Sequence, residues 1–309
     1  MIIGSIRSGL KGPIENLRLT LLLWALSLVL AAVAALPAWR WLGSAFNLAP
    51  ESDRFLDGFS LGLLRELGQY DRSPVWGMVF AGMFGVAAVV LLANPLIAGG
   101  ILETLTSSDR APFLHRFFRG AGRFYARFLL LLAYTLAAGT VILGLVSLAF
   151  GRAANRAMDS GWEPAAFAVL GLGIVLAAAV AAFFSLALDF ARIRMALDDD
   201  RKTLRIWLSA LRFTCVRFAG AFGILVFLAL LFGMVLAGYF AFGTLVPART
   251  WVFILLTVAV QQVVVVNRVA FRIALVRAEL RYFELCSRTG SGAALPESPP
   301  TSMWSSPSA

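Results

Sequence analysis

The stretch FLLLLAYTLAAGTVILGLVSLAF occupies residues 128–150, with Arg127 immediately before it and Arg152 just after it. It carries no charged residue, and about 20 apolar residues in helical form are enough to cross the hydrocarbon core of a bilayer. Outward from this run, five more of the same kind lie near 19–38, 75–98, 164–188, 218–245 and 251–271. The chain therefore reads as an all-α polytopic membrane helix bundle with six transmembrane helices. Composition points the same way. The 309 residues are 60% hydrophobic and 14% charged, with a mean hydropathy of +0.83, whereas soluble domains sit near 45–50% apolar and about 25% charged. The first run is followed by small residues, Ala34-Ala35-Leu36-Pro37-Ala38, as a cleaved signal would be. Its apolar core exceeds the usual length of about 7–15 residues, so it is read as a retained span.

Orientation follows from arginine and lysine, which accumulate in cytoplasmic connections. Twenty of the 27 lie in the N-terminal segment, the second and fourth connections and the C-terminal segment; the first, third and fifth connections hold seven. Strict alternation fits an even number of spans, with both termini in the cytoplasm of a cell whose plasma (inner) membrane holds the protein. The net charge of +10 is spread over short connections, so it fits anionic lipid rather than nucleic acid, which is not expected as a partner. Residues 1–288 form one transmembrane domain on this reading. Residues 289–309, rich in Gly, Ser and Pro, read as a disordered cytoplasmic tail.

The connection at 39–74 is too short for a sizeable core of its own. Its Phe55, Phe59, Leu63 and Leu67 suit either a short amphipathic helix on the outer surface or a plain loop. A weak threefold repeat of interfacial helix, span, outer loop and span also appears. Arg123-Phe124 with Arg127-Phe128 parallels Arg212-Phe213 with Arg217-Phe218, and Arg194-Met195-Ala196-Leu197 parallels Arg272-Ile273-Ala274-Leu275.

Polar groups inside spans are costly and so informative. Asn94-Pro95 is a candidate break in the second span, since proline removes a backbone donor. Gln261, Gln262 and Asn267 mark the sixth span, and Asn94, Gln261 and Gln262 form a candidate intramembrane polar cluster, lining a cavity or tying helices together. No span carries a central carboxylate, which argues against a proton-coupled carrier. Asp189 is placed to pair with Arg192 one turn on. Small residues recur every fourth position at Gly77, Ala81 and Gly85 and at Gly173, Ala177 and Ala181, a spacing that lets backbones approach closely.

Catalytic chemistry finds little support. His115 is the single histidine; Cys215 and Cys286 have neither disulfide nor zinc spacing; Lys11 and Lys202 are the only lysines. No catalytic residue, metal or cofactor is expected. Gly58-Phe59-Ser60-Leu61-Gly62 matches the form of a nucleophile elbow, but no strand pattern surrounds it and His115 is predicted on the opposite side of the membrane.

Arg116, Arg119, Arg123 and Arg127 are offset by 3, 7 and 11 residues from the first and so share one helical stripe. Phe113, Phe117, Phe124 and Phe128 fall on an adjoining face. The segment is predicted to lie in the inner interface, rings in the acyl boundary and guanidinium groups among phosphates, binding an acidic phospholipid such as cardiolipin or phosphatidylglycerol.

Three short motifs, Asn94-Pro95-Leu96 leading to Gly99-Gly100, Phe117-Phe118-Arg119-Gly120 with Arg123-Phe124, and Asp189-Phe190-Ala191-Arg192-Ile193, give the chain a family likeness. It resembles uncharacterised six-span bacterial inner-membrane proteins, similar in layout to the membrane domain that precedes the catalytic domain in some glycerophosphodiester phosphodiesterases. No hydrolase domain is present here, so the resemblance implies no catalytic residue. The expected role is a non-enzymatic scaffold or accessory protein acting on anionic lipid or partner membrane proteins; the alternative is a small transporter or permease subunit.

Overall fold

A computed structural model describes residues 2–46, 75–107, 111–198, 202–245 and 251–290. Among them every regular element is an α-helix: α1 (Ile2–Glu15), α2 (Leu17–Phe46), α3 (Val75–Thr106), α4 (Phe113–Asp159), α5 (Glu163–Asp198), α6 (Thr203–Leu245) and α7 (Trp251–Gly290). Five are long and apolar enough to cross a membrane, and six if the bent pair α1 and Leu17–Val33 of α2 counts as one span. Each of the six expected runs lies inside one of these helices. The chain is an all-α, multi-pass membrane bundle.

The helices outlast the expected spans. At about 1.5 Å per residue, the 47 residues of α4 reach about 70 Å and the 40 residues of α7 about 60 Å, roughly twice the hydrocarbon thickness. The basic segment 113–127 belongs to the same helix as the span that follows it. It runs straight into its span, because nothing between Arg127 and Phe128 breaks the backbone hydrogen bonding. The corresponding segment of α6 is kinked at Arg217 (φ −115°, ψ 17°). In α3, the helix continues through the candidate break at Asn94-Pro95. The helix at the C-terminal end continues to Gly290, two residues into the expected tail; the rest of the tail, the connection at 47–74 with Phe55, Phe59, Leu63 and Leu67, and the Gly58–Gly62 pattern all lie outside the described residues.

The chain divides into two compact units, residues 18–129 and residues 1–17 with 130 onward. In the first unit, α3 crosses the start of α4 at backbone distance. A Cβ on Gly99 would sit 2.9 Å from the Gly120 carbonyl oxygen and 3.3 Å from the Ala121 Cα, and one on Gly100 would strike the Phe117 ring. Ile101, Leu102, Phe117, Ala121, Phe124 and Phe128 are buried around this crossing. Phe117, Phe124 and Phe128 thus belong to the protein core, not to the acyl boundary. They flank the face on which Gly120 allows α3 to approach.

In the second unit, α1 packs on α7, α5 on α6, and α6 on α7. Phe190 of α5, Phe213 of α6 and Tyr282 and Phe283 of α7 form an aromatic cluster with centroid separations of 5.0 to 6.5 Å. By contrast the apolar ends of these helices are largely exposed. Phe167, Leu172, Ile174 and Val175 of α5 share one broad face of the helix and are all exposed. This distribution has a physical cause. The charged, aromatic ends gain hydrophobic free energy by excluding water, whereas apolar side chains satisfied by lipid gain none from touching one another.

The small-residue ridges behave unequally. A Cβ on Gly173 would meet Phe150 at 2.8 Å, so α4 and α5 approach closely there, but one on Gly85 meets nothing within 4 Å among the described residues. The expected close contact at Gly85 is therefore corrected. That part of α3 presents exposed side chains, from Phe84 to Leu92, and a bilayer supplies their surroundings.

Candidate functional site

The arginine stripe is divided in its use. Arg119 Nη2 donates to Glu103 Oε1 at 3.0 Å, an ion pair between α4 and α3 in which the carboxylate is nearly buried. Arg116 Nη1 makes a long 3.4 Å contact to the Ser107 carbonyl oxygen, just past the end of α3. Two of the four arginines thus close the α3–α4 corner. Arg123 is exposed, with its guanidinium carbon 5.3 Å from the centroid of the Phe124 ring, and Phe124 itself is buried and stacked on Phe128. Arg127 is half-buried one turn further on, and His115 is exposed beside Arg116.

Of the polar residues in the last span, Gln261 Nε2 donates to the Tyr239 hydroxyl at 3.3 Å and Asn267 Nδ2 donates to the Phe232 carbonyl oxygen at 2.9 Å. Both bonds tie α7 to α6. Gln262 is half-buried on α7; Asn94 is half-buried on α3 and belongs to the other compact unit. The interhelical use of such amides is the usual one in membranes, since a bond between helices removes an otherwise costly polar group from hydrocarbon.

A second polar constellation lies where α5 meets α7. Arg192 Nη1 donates to Asp189 Oδ1 at 3.1 Å, one turn apart on α5, and the arginine side chain is only 5% exposed. Glu279 of α7 is 1% exposed, and neither carboxylate oxygen has a hydrogen-bond partner among the described residues. Asp189 and Arg192 are the charged groups that bear on it. The pairing of Asp189 with Arg192 is legible from their spacing. Glu279 is not singled out by any motif, although one signal was present: Leu275, Ala278, Tyr282 and Cys286 mark an apolar stripe at helical spacing, and Glu279 falls within it. Glu103 escapes notice for a similar reason, as the one carboxylate in the otherwise apolar LIAGGILETL at 96–105.

The glycines and aromatics of the three motifs that carried the family likeness are structural. Gly99, Gly100, Phe117 and Gly120 make the α3–α4 crossing, and Asp189, Phe190 and Arg192 make the α5 side of the charged and aromatic junction. Among the described residues no group of three or more His, Cys, Asp or Glu side chains is placed to hold a metal ion. Compared with known proteins, the chain matches no family, no curated protein and no solved structure.

Proposed function

We propose that this protein is a non-enzymatic membrane scaffold or accessory protein that engages anionic phospholipid, with both termini in the cytoplasm and the plasma membrane as its site. The observation that carries the reading is Arg123. Arg123 is an exposed residue next to the buried Phe124, whose ring its guanidinium approaches at 5.3 Å, so the helix fixes where this basic residue stands at the surface. Arginine in such a setting matches the bidentate geometry of a phosphate. Arg127 stands on the same face, and the side chain of Arg119 is 40% exposed beside its pair with Glu103. The amide contacts of Gln261 and Asn267 support helix packing over a polar transport path.

Arg123→Gln with Arg127→Gln tests the lipid reading more cleanly than any change at Arg119, whose loss also removes the partner of Glu103. The double variant is expected to insert normally and to retain less phosphatidylglycerol or cardiolipin on gentle purification, as read by lipid mass spectrometry. Each basic residue near an anionic surface contributes about 1 kcal/mol. Equal retention in variant and parent would overturn the assignment.

Topology is tested separately. Reporter fusions after Arg156, at the far end of α4, and after Arg201, in the connection from α5 to α6, are expected on opposite sides of the membrane, Arg201 in the cytoplasm. Both reporting the cytoplasm would mean that α5 does not cross.

A further inference from the structure

Helix α1 shows two faces of opposite character. Ser5, Gly9, Gly12 and Pro13 are buried, and the contact is a backbone one: a Cβ on Gly9 would lie 2.6 Å from the Ala274 carbonyl oxygen and 2.9 Å from the Ala278 Cβ. The opposite face carries the large side chains. Ile3 is 83% exposed and Ile14 is 73% exposed, with Leu10 half-buried between them. Offsets of 7 and 11 residues put Ile3, Leu10 and Ile14 on one stripe at about 100° per residue. Arg7 and Lys11, both exposed, fall along its edge. A surface helix on a soluble protein would put its large apolar residues inward and its polar residues outward. Here the small residues point inward and the isoleucines outward.

We propose that α1 is a membrane-surface anchor that beds Ile3, Leu10 and Ile14 into an anionic leaflet, while Gly9 and Gly12 hold it against α7. Three observations commit the face to lipid rather than to a protein. The cations at the edge of the stripe complement anionic headgroups, and Glu15, the acidic residue of the helix, is paired with Arg277 of α7. A single residue, Asn16, separates α1 from α2; its backbone and side-chain nitrogens both donate to the Gly12 carbonyl oxygen, at 3.1 and 3.0 Å, closing α1 there. Because α2 contains the first expected span, α1 is tethered at the membrane boundary and has no length in which to leave it. Leu17, directly after Asn16, is exposed as well, so the chain leaving α1 is apolar at its surface. The proposal concerns a segment separate from the α4 arginines and stands whether or not those bind lipid.

The test uses the full chain with Cys215→Ser, reconstituted in vesicles of phosphatidylcholine with phosphatidylglycerol. An environment-sensitive fluorophore is attached in turn to Ile3→Cys, Ser8→Cys and Ile14→Cys; the parent carrying only the buried Cys286 supplies the background. Labels at positions 3 and 14 are expected to be several-fold brighter than at 8, quenched by lipid-borne nitroxide and protected from aqueous iodide, with the reverse at 8. Adding Arg7→Gln and Lys11→Gln is expected to shift the bedded state toward exposure by about fivefold per charge removed. Iodide quenching of 3 and 14 as strong as that of 8 would overturn the proposal. Protection from both quenchers would also overturn it, since a protein partner or second copy would then cover the stripe.

Discussion

Gly99→Leu is expected to cause the larger loss of stability of any single substitution in the first unit. All three atoms nearest a Cβ at this position are backbone atoms of α4, from Gly120 and Ala121, and backbone cannot rotate away as a side chain can. Overpacking of a tight contact costs about 1–3 kcal/mol and occasionally more, and here the added bulk would lever α3 off the helix it crosses. The crossing also seats Phe117, Phe124 and Phe128 and brings Glu103 to Arg119, so their burial is lost with it. Thermal unfolding in detergent should show a clear drop for Gly99→Leu and almost none for Gly85→Leu, whose Cβ meets open space. Equal behaviour of the two would mean that α3 and α4 do not hold each other at this crossing.

The second large effect is expected at the junction of α5 and α7. Asp189→Ala removes the carboxylate bonded to a guanidinium that is almost fully buried, and breaking a buried ion pair on one side costs about 3–5 kcal/mol. Glu279 works against the upper end of that range, because its carboxylate bears on Arg192 and can compensate. Glu279→Met alone should act in the opposite direction. Among the described residues the buried carboxyl group has no hydrogen-bond donor, a costly arrangement, and replacing buried ionic groups by apolar ones of similar volume is commonly neutral or stabilising by about 1–4 kcal/mol. The double variant Asp189→Ala with Glu279→Met is then expected to be less stable than the sum of the two single effects, since Arg192 loses its bonded carboxylate and the second one. Simple additivity in a thermal double-mutant cycle would show that Glu279 and Arg192 are not coupled. A loss of stability in Glu279→Met would show that the carboxyl has a partner of its own.

Much of this architecture was legible in one dimension. Each span announces itself as a run without charge, because hydrocarbon tolerates neither free backbone polar groups nor ions, and a helix is the local structure that satisfies its own backbone. The charge alternation and the mutual reach of Asp189 and Arg192 are likewise local, set by connection order and helical pitch. The stripe of Arg116, Arg119, Arg123 and Arg127 follows from pitch as well.

What the stripe touches does not. Helical spacing places Phe117 and Phe124 on a face, and only the approach of α3 over Gly99 and Gly120 decides that this face meets protein instead of lipid. The same approach consumes Arg119 on Glu103 while leaving Arg123 exposed. Gly85 and Gly173 are equivalent in spacing, yet among the described residues Gly173 has a close neighbour, Phe150, and Gly85 has none. The burial of Glu279 also depends on a helix distant in sequence. Apolarity therefore determined which segments enter the membrane, since lipid acts on every such segment alike. Tertiary contact alone decided which surfaces lipid keeps, because inside a bilayer apolar faces lack a hydrophobic drive toward each other and close steric fit selects the partners.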